Sequence, residues 1–375
     1  MTPNPTFAPA TGFKHALETS VDEYFRRAGI SKTGNLWTYL KATLLLAWLA
    51  GSYYLLVFRA STWPGGVLVG LSLALAMAAV GFNIQHDGNH GSFSSHPWMN
   101  RLAGLTLDLL GASSYLWIWK HNFSHHTYTN IPHVDDDIDL APVGRLSSEI
   151  PLRSYHRYQH YYLWFFYALL LIQWHFYSDY KKLWTRKIGD RTFAPPRGWD
   201  LAGVVAGKVV FLSLAFIIPF LRHPWWVVVA SYLGVTMVVG LVISVVFQLA
   251  HIVEETEHPA SLEDVHAEWV IHQIRTTADF ACENRLVTWY LGGLNFQVIH
   301  HLFPRICHVH YPQVARVVAQ VCQEYQINYR THRSVYGAIR SHFRFLRLMG
   351  RTQEPLPPCA LPASETPLNA AELSG

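Results

Sequence analysis

The chain has 375 residues, half of them apolar and only 14% charged, well below the roughly 25% of ordinary globular domains, yet its mean hydropathy is only +0.12. This balance points to a membrane protein whose apolar spans alternate with substantial polar segments. A net charge of +4 is too small for a nucleic-acid-binding surface, and Cys282, Cys307, Cys322 and Cys359 lack the paired spacing of a disulfide framework or a zinc ribbon.

In chain order, residues 1 to about 12 are rich in Pro and Thr and read as disordered. Phe13, Leu17, Val21, Tyr24, Phe25 and Ala28 then recur near helical spacing, predicting an amphipathic helix over 13–30. The first apolar run begins only near residue 36, after acidic as well as basic residues, so targeting is expected to rest on a membrane span and not on a signal peptide.

Four runs are long enough to cross about 30 Å of hydrocarbon: 36–58, 61–85, 201–221 and 224–249. Pro64, Gly65 and Gly66 form the turn of a first hairpin, and Arg222, His223 and Pro224 that of a second. Lys208 sits about two turns inside the third run, an uncomfortable place for a cation. Two further runs, 102–119 and 161–177, are at the lower limit for spanning.

Eight histidines fall in four clusters: His86 and His90 in HDGNH, His121, His125 and His126 in HNFSHH, His251 alone, and His300 and His301 in QVIHH. If these clusters share one site, the chain must cross the membrane an even number of times between any two of them. Counting 102–119 or 161–177 as a single span would break that parity, so both are expected to be interfacial or protein-buried helices. Lys and Arg number 4 before the first span, 11 between the hairpins and 10 after the second, against one in each hairpin turn. The three large segments and both termini are therefore expected in the cytoplasm.

On a helix, His86 and His90 share one face, as do His121 and His125, while His126 should point about 100° away from His125. So many imidazoles at the cytoplasmic ends of spans point to metal, and eight exceed what one tetrahedral ion needs. His156 and His160 repeat the i, i+4 spacing and are read as coincidental. Imidazole suits zinc, copper, iron and nickel alike. There is no HExxH, so a two-metal zinc hydrolase would need a bridging carboxylate from among Asp87, Asp135, Asp136, Asp137 and Asp139. The more economical role for these acids is to hold the second ring nitrogen of a ligand histidine. A metal transporter is a further alternative, although it predicts ionisable groups at mid-span.

The boxes HDGNH, HNFSHH and QVIHH, in this order and around two similarly placed hairpins, resemble the HxxxH, HxxxHH and (H/Q)xxHH pattern of the membrane fatty acid desaturase family. The likeness runs from about residue 13 to 330. It is closest to bacterial linoleoyl-CoA-type and other front-end desaturases in the strings HNFSHHTYTN, DDDIDLAP, WVIHQIRTTADF and LNFQVIHHLFPRICHVHYP.

That resemblance implies an all-α integral membrane protein: four transmembrane helices in two hairpins, interfacial helices, and a cytoplasmic helical cap with a His-rich di-iron site. The expected organisation is a cytoplasmic segment 1–35, a desaturase domain 36–353 and a disordered tail 354–375. Two non-haem iron ions and dioxygen as co-substrate are implied, with His86, His90, His121, His125, His126, His251, His300 and His301 matching the family's ligand and catalytic positions. Gln297 stands where some relatives have a ninth histidine, a departure typical of front-end desaturases, and would act directly or through water. The implied reaction forms a double bond on the carboxyl side of a CoA- or lipid-linked acyl chain, such as at the fifth or sixth carbon; a hydroxylase on the same scaffold is the rival reading. Membrane lipid is an expected partner and the bacterial inner membrane the expected location. The chain has no His-Pro-Gly-Gly haem motif, so reducing equivalents are expected from a separate ferredoxin or cytochrome. Arg330, Arg333, Arg340, Arg344, Arg347 and Arg351 read first as a solvated positive-inside face and secondarily as a docking face for such a donor or for anionic headgroups. The string SSYLWIW reads either as part of an acyl tunnel or as interfacial anchoring by Trp117 and Trp119.

Overall fold

The computed structural model describes residues 7–261 and 263–352; the expectations for residues 1–6, the tail 354–375 and Cys359 lie outside them. The elements used below are, in chain order, α1 (Gly12–Ala28), α2 (Leu36–Arg59), α3 (Trp63–His90) and α4 (Ser114–Trp117), followed by α5 (Trp199–Phe220), α6 (Trp225–His251), α7 (Trp269–Thr276), α8 (Gln297–Leu302), α9 (Tyr311–Glu324) and α10 (Val335–Met349). Among the described residues, α2, α3, α5 and α6 are the four helices long and apolar enough to cross a membrane. α3 and α6 run past the C-terminal apolar limits read from the sequence by five and two residues, so α3 carries both histidines of the first box and α6 ends on His251.

The chain divides into two compact units, one within Met1–Lys32, Lys120–Leu163 and Val246–Gly375, the other within Thr33–Trp119 and Trp164–Val245. In the first, α1 starts at the N-cap Thr11, whose hydroxyl accepts from the Phe13 N–H, and stops at Gly29 in the left-handed conformation. Phe13, Leu17, Val21 and Phe25 recur every four residues and are buried in one core with Val314, Val318 and Val321 of α9 and with Val270 and Ile274 of α7. Burying each such side chain contributes about 1.5–3 kcal/mol. The apolar face of α1 is therefore a docking face within this unit. Asp279–Phe280 pairs in parallel with Thr331–His332, and the carboxylate of Asp279 accepts from the Val298 N–H (2.9 Å), which holds the first turn of α8.

In the second unit α2 and α3 pack side by side: the Trp48 indole N–H donates to Ser72 Oγ, and Ser52 bonds the same hydroxyl, both at 2.9 Å. The Tyr53 hydroxyl donates to the Leu214 carbonyl of α5 (2.9 Å). Runs 102–119 and 161–177 do not form single helices. The first is divided among Pro97–Gly104, Thr106–Leu109 and α4, with Gly111 at φ 101° before α4; the second is divided at Leu169 between Gln159–Ala168 and a helix that starts at Leu170 and continues through a π turn, Trp174–Ser178.

Candidate metal centre

In the first unit, three chain segments bring six of the eight histidines together. A π-helix, Ile118–His125, carries His121 and His125, and the next residue, His126, closes an i→i+5 bond onto the His121 carbonyl (3.0 Å). His251 ends α6, and α8 presents Gln297, His300 and His301. The rings of His125, His251 and His301 form one triangle with centroids 4.7–4.8 Å apart, and those of His126, His300 and His301 a second with centroids 4.3–5.4 Å apart. In each set, and in the set His121, His125 and Asp137, one ligand atom per residue lies within 4.8 Å of the others. A first-row metal bonded to imidazole at about 2.0–2.1 Å separates its nitrogens by roughly 3–4 Å, so small side-chain rotations suffice for coordination.

The π turn changes what the sequence predicts for His126. Instead of pointing about 100° away, its ring faces His121, with Nε2 atoms 3.2 Å apart, because a wider turn places residue i+5 over residue i. The three histidines of the second box thus share one side.

Each ring is held through a defined atom. His125 Nδ1 pairs with Asp135 Oδ2 (2.9 Å), and Asp135 also accepts the N–H groups of Asn130 and Asp137, each at 3.0 Å. His125 Nε2 is buried and has no hydrogen-bond partner among the described residues. His121 Nδ1 pairs with Asp137 (3.3 Å), itself ion-paired to Lys120 (2.5 Å). His251 Nδ1 donates to the Thr276 carbonyl (3.3 Å), His301 Nδ1 to Gln273 Oε1 (2.8 Å), and His300 Nδ1 pairs with the Tyr311 hydroxyl (3.2 Å). Asn130, at φ 60° where Asn is among the few tolerated residues, donates to the carbonyls of His251, Glu257 and Thr276 and so ties the second box to the end of α6. Gln297 Nε2 lies 3.0 Å from His251 Nε2.

Burial pushes the His121 imidazole down to about 4, so it is neutral near pH 7. At His125 burial acts in the same sense, but the Asp135 carboxylate outweighs it and raises the pKa. Burial disfavours the Asp137 charge as well, yet Lys120 and His121 hold this carboxyl well below its usual range. These are the properties of metal ligands with carboxylate and carbonyl partners behind them, and the residues present fit a bound transition metal.

In the second unit, His86 and His90 lie one turn apart at the end of α3, ring centroids 4.7 Å apart, and Trp117 packs edge-on against both at 5.7 and 5.3 Å. The glycine of HDGNH allows α3 to approach Pro97–Gly104 closely: a Cβ at Gly88 would fall 2.4 Å from the Gly104 nitrogen.

Not every residue singled out in the sequence joins the cluster. His156 bonds the Pro142 carbonyl (2.9 Å), and His160 packs on Phe343. Asp139 accepts the Ala141 N–H, whereas Asp135 and Asp137 pair with the Nδ1 atoms of His125 and His121. Arg330 is buried, bonding the Arg275 carbonyl and Glu257, so it is no part of a basic surface; Arg333, Arg340, Arg344, Arg347 and Arg351 are exposed. Trp117 is buried against the rings of His86 and His90. Gln273, Thr276 and Tyr311 escaped the reading of residue spacing, although all three lie inside the strings that carried the family resemblance.

The family model described as fatty acid desaturase matches residues 61–333. Among curated proteins, an sn-1 linoleoyl-lipid 6-desaturase from Arthrospira platensis is 39% identical, over 93% of this chain and 95% of its own length. One of the same description from Synechocystis sp. is 37% identical, over 92% and 97%. An acyl-lipid (8-3)-desaturase from Physcomitrium patens is 33% identical, over 91% of this chain and 72% of its own length.

Proposed function

The chain belongs to the fatty acid desaturase family and is an oxidoreductase of that kind, and from this premise we propose that it forms a carboxyl-side double bond, at about the fifth or sixth carbon, in an acyl chain esterified to a membrane lipid. The observation that carries the reading is the six-histidine cluster with its ring nitrogens held by Asp135, Asp137, Gln273, Thr276 and Tyr311. The lipid-linked substrate and the double-bond position follow the names of the cyanobacterial relatives.

An unactivated methylene offers no acidic proton, so side-chain acids and bases alone cannot remove its hydrogens. Two bound iron ions would supply the oxidising power, drawn from dioxygen. The overall reaction balances when the acyl chain loses two hydrogens, a protein donor gives two electrons, and two protons complete the reduction of dioxygen to two waters. His121, His125, His126, His251, His300 and His301 bind the metal, with His86 and His90 completing the set by their match to the family's first box. Gln297 adjusts the position next to His251. The carboxylates of Asp135 and Asp137 keep ring protons on Nδ1 and lone pairs on Nε2.

The reading includes a membrane arrangement. α2 with α3, and α5 with α6, form two hairpins; the histidine-bearing segments and both termini lie in the cytoplasm, at the inner membrane of a bacterium. The apolar stem suits a substrate that would lose about 0.8 kcal/mol per CH₂ on leaving lipid for water. A separate ferredoxin or cytochrome supplies the electrons.

Expression in a desaturase-free host of the wild type and of His125→Ala tests this, with fatty acids read by mass spectrometry. A product two mass units lighter with wild type only is expected. A product sixteen units heavier would assign a hydroxylase, and identical lipids from both, despite sound expression and available reductant, would overturn the reading.

A further inference from the structure

Lys208 lies within α5, where an unpaired cation in hydrocarbon would be costly, so its surroundings mark a functional arrangement. Its Nζ donates to Asp179 Oδ2 and to the Gly111 carbonyl, both at 2.7 Å, and its side chain and that of Asp179 are only 12% and 9% exposed. The same Asp179 oxygen accepts the Ser113 N–H (3.0 Å), while Asp108 accepts the next one, from Ser114 (3.2 Å). Gly207, one residue before Lys208, leaves room for Asp108: a Cβ there would fall 2.7 Å from the Asp108 Cβ. Gly111 is equally constrained, since a Cβ would meet both His175 and Phe211 at 2.7 Å.

Two carboxylates, one of them ion-paired to the Lys208 ammonium, thereby accept two successive backbone N–H groups, from the N-cap Ser113 and the first residue Ser114 of α4. Its last residue is Trp117, the ring packed on His86 and His90. A buried ion pair is in itself weak evidence for stability, because apolar side chains of similar size often serve as well. What this pair adds is a defined start for the helix that carries Trp117.

We propose that Lys208 and Asp179 are positioning residues that set Trp117 beside His86 and His90 and thereby select which methylene of the acyl chain is presented for hydrogen removal. This rests on the desaturase reading above. Trp117 lies within one ring contact of two of the proposed ligands, so a small shift of α4 would move a bulky ring relative to them.

The test compares wild type, Lys208→Met, Asp179→Asn and the double variant K208M/D179L by the thermal midpoint of the metal-free protein and by the double-bond position in the product. The midpoint should fall in Lys208→Met, which strands a buried charge, and recover in part in the double variant, which strands no charge but takes the carboxylate from the Ser113 N–H. The ratio of the native double-bond position to neighbouring positions should nevertheless fall about ten-fold in both, equivalent to about 1.4 kcal/mol of lost discrimination. Asp179→Asn keeps an acceptor for Ser113 and Lys208 and should retain a ratio near that of the wild type. An unchanged ratio in a stable double variant overturns the proposal, as does failure of all three variants to fold, which would assign the pair a purely structural role. Absence of any desaturated product from the wild type instead sinks the underlying reading, and this inference with it.

Discussion

His121 and His126 face each other with Nε2 atoms 3.2 Å apart, across a π turn closed by the bond from the His126 N–H to the His121 carbonyl. In a regular α-helix only His125 would lie over His121; here both neighbours do, with ring centroids 5.1 and 4.7 Å away. A single box thus offers three nitrogens to one side. His301 lies in both ring triangles, and with Nδ1 bonded to Gln273 its Nε2 can serve only one of them.

Asp135→Asn should lower iron affinity or activity about 10–100-fold, because the carboxylate that fixes the His125 ring and strengthens its Nε2 as a donor is lost. Iron per chain in the purified protein, measured by elemental mass spectrometry alongside product yield, checks this. Native iron content in the variant would show that Asp135 does not act through His125.

Metal removal should destabilise as well as inactivate. A ligand present at 100 times its dissociation constant stabilises the folded state by about 2.7 kcal/mol, so chelation should lower the thermal midpoint and Fe(II) should restore both midpoint and turnover. Zn(II) should restore the midpoint alone, since it has no redox chemistry. Turnover with zinc would contradict the oxidative mechanism.

The metal-free protein should lose stability in acid. Burial pushes His342 down to about 4, with its Nδ1 against the Ile252 carbonyl, and burial lowers His272 to about 4 as well. Between the unfolded value near 6.5 and the folded value near 4 the unfolded chain binds more protons, so this stability is full above about pH 6.5 and is lost as pH falls towards 4. Asp279 acts in the opposite sense, its carboxyl raised by burial to about 7. His342→Asn keeps an N–H donor for Ile252 and removes the titration, so the acid-side fall in thermal midpoint should be shallower than in the wild type. Parallel curves for the two proteins would rule out His342 as a contributor.

Gly88→Ala should cost about 1–3 kcal/mol through overpacking, since the added Cβ meets the Gly104 nitrogen at 2.4 Å and the Ala103 Cβ at 2.7 Å. Thermal unfolding in detergent reads this. An unaltered midpoint would mean that the end of α3 shifts freely.

Much of this protein is local and therefore legible in its sequence. Apolar length marked α2, α3, α5 and α6, a four-residue apolar repeat marked α1, and the spacing of His86 and His90 placed their rings together, because each property depends on residues within a few turns. Tertiary structure decided the rest. No local propensity announces the π turn at Ile118–His125, and the division of run 102–119 into short pieces and the interruption of run 161–177 at Leu169 were foretold by neither length nor hydropathy. Lys208, awkward as a lone cation in an apolar run, acquired its meaning from Asp179, 29 residues earlier. Trp117 became the neighbour of two histidines, and Gln273 and Tyr311 became partners of two more, because folding selects contacts by shape and hydrogen-bond complementarity between segments far apart in the chain.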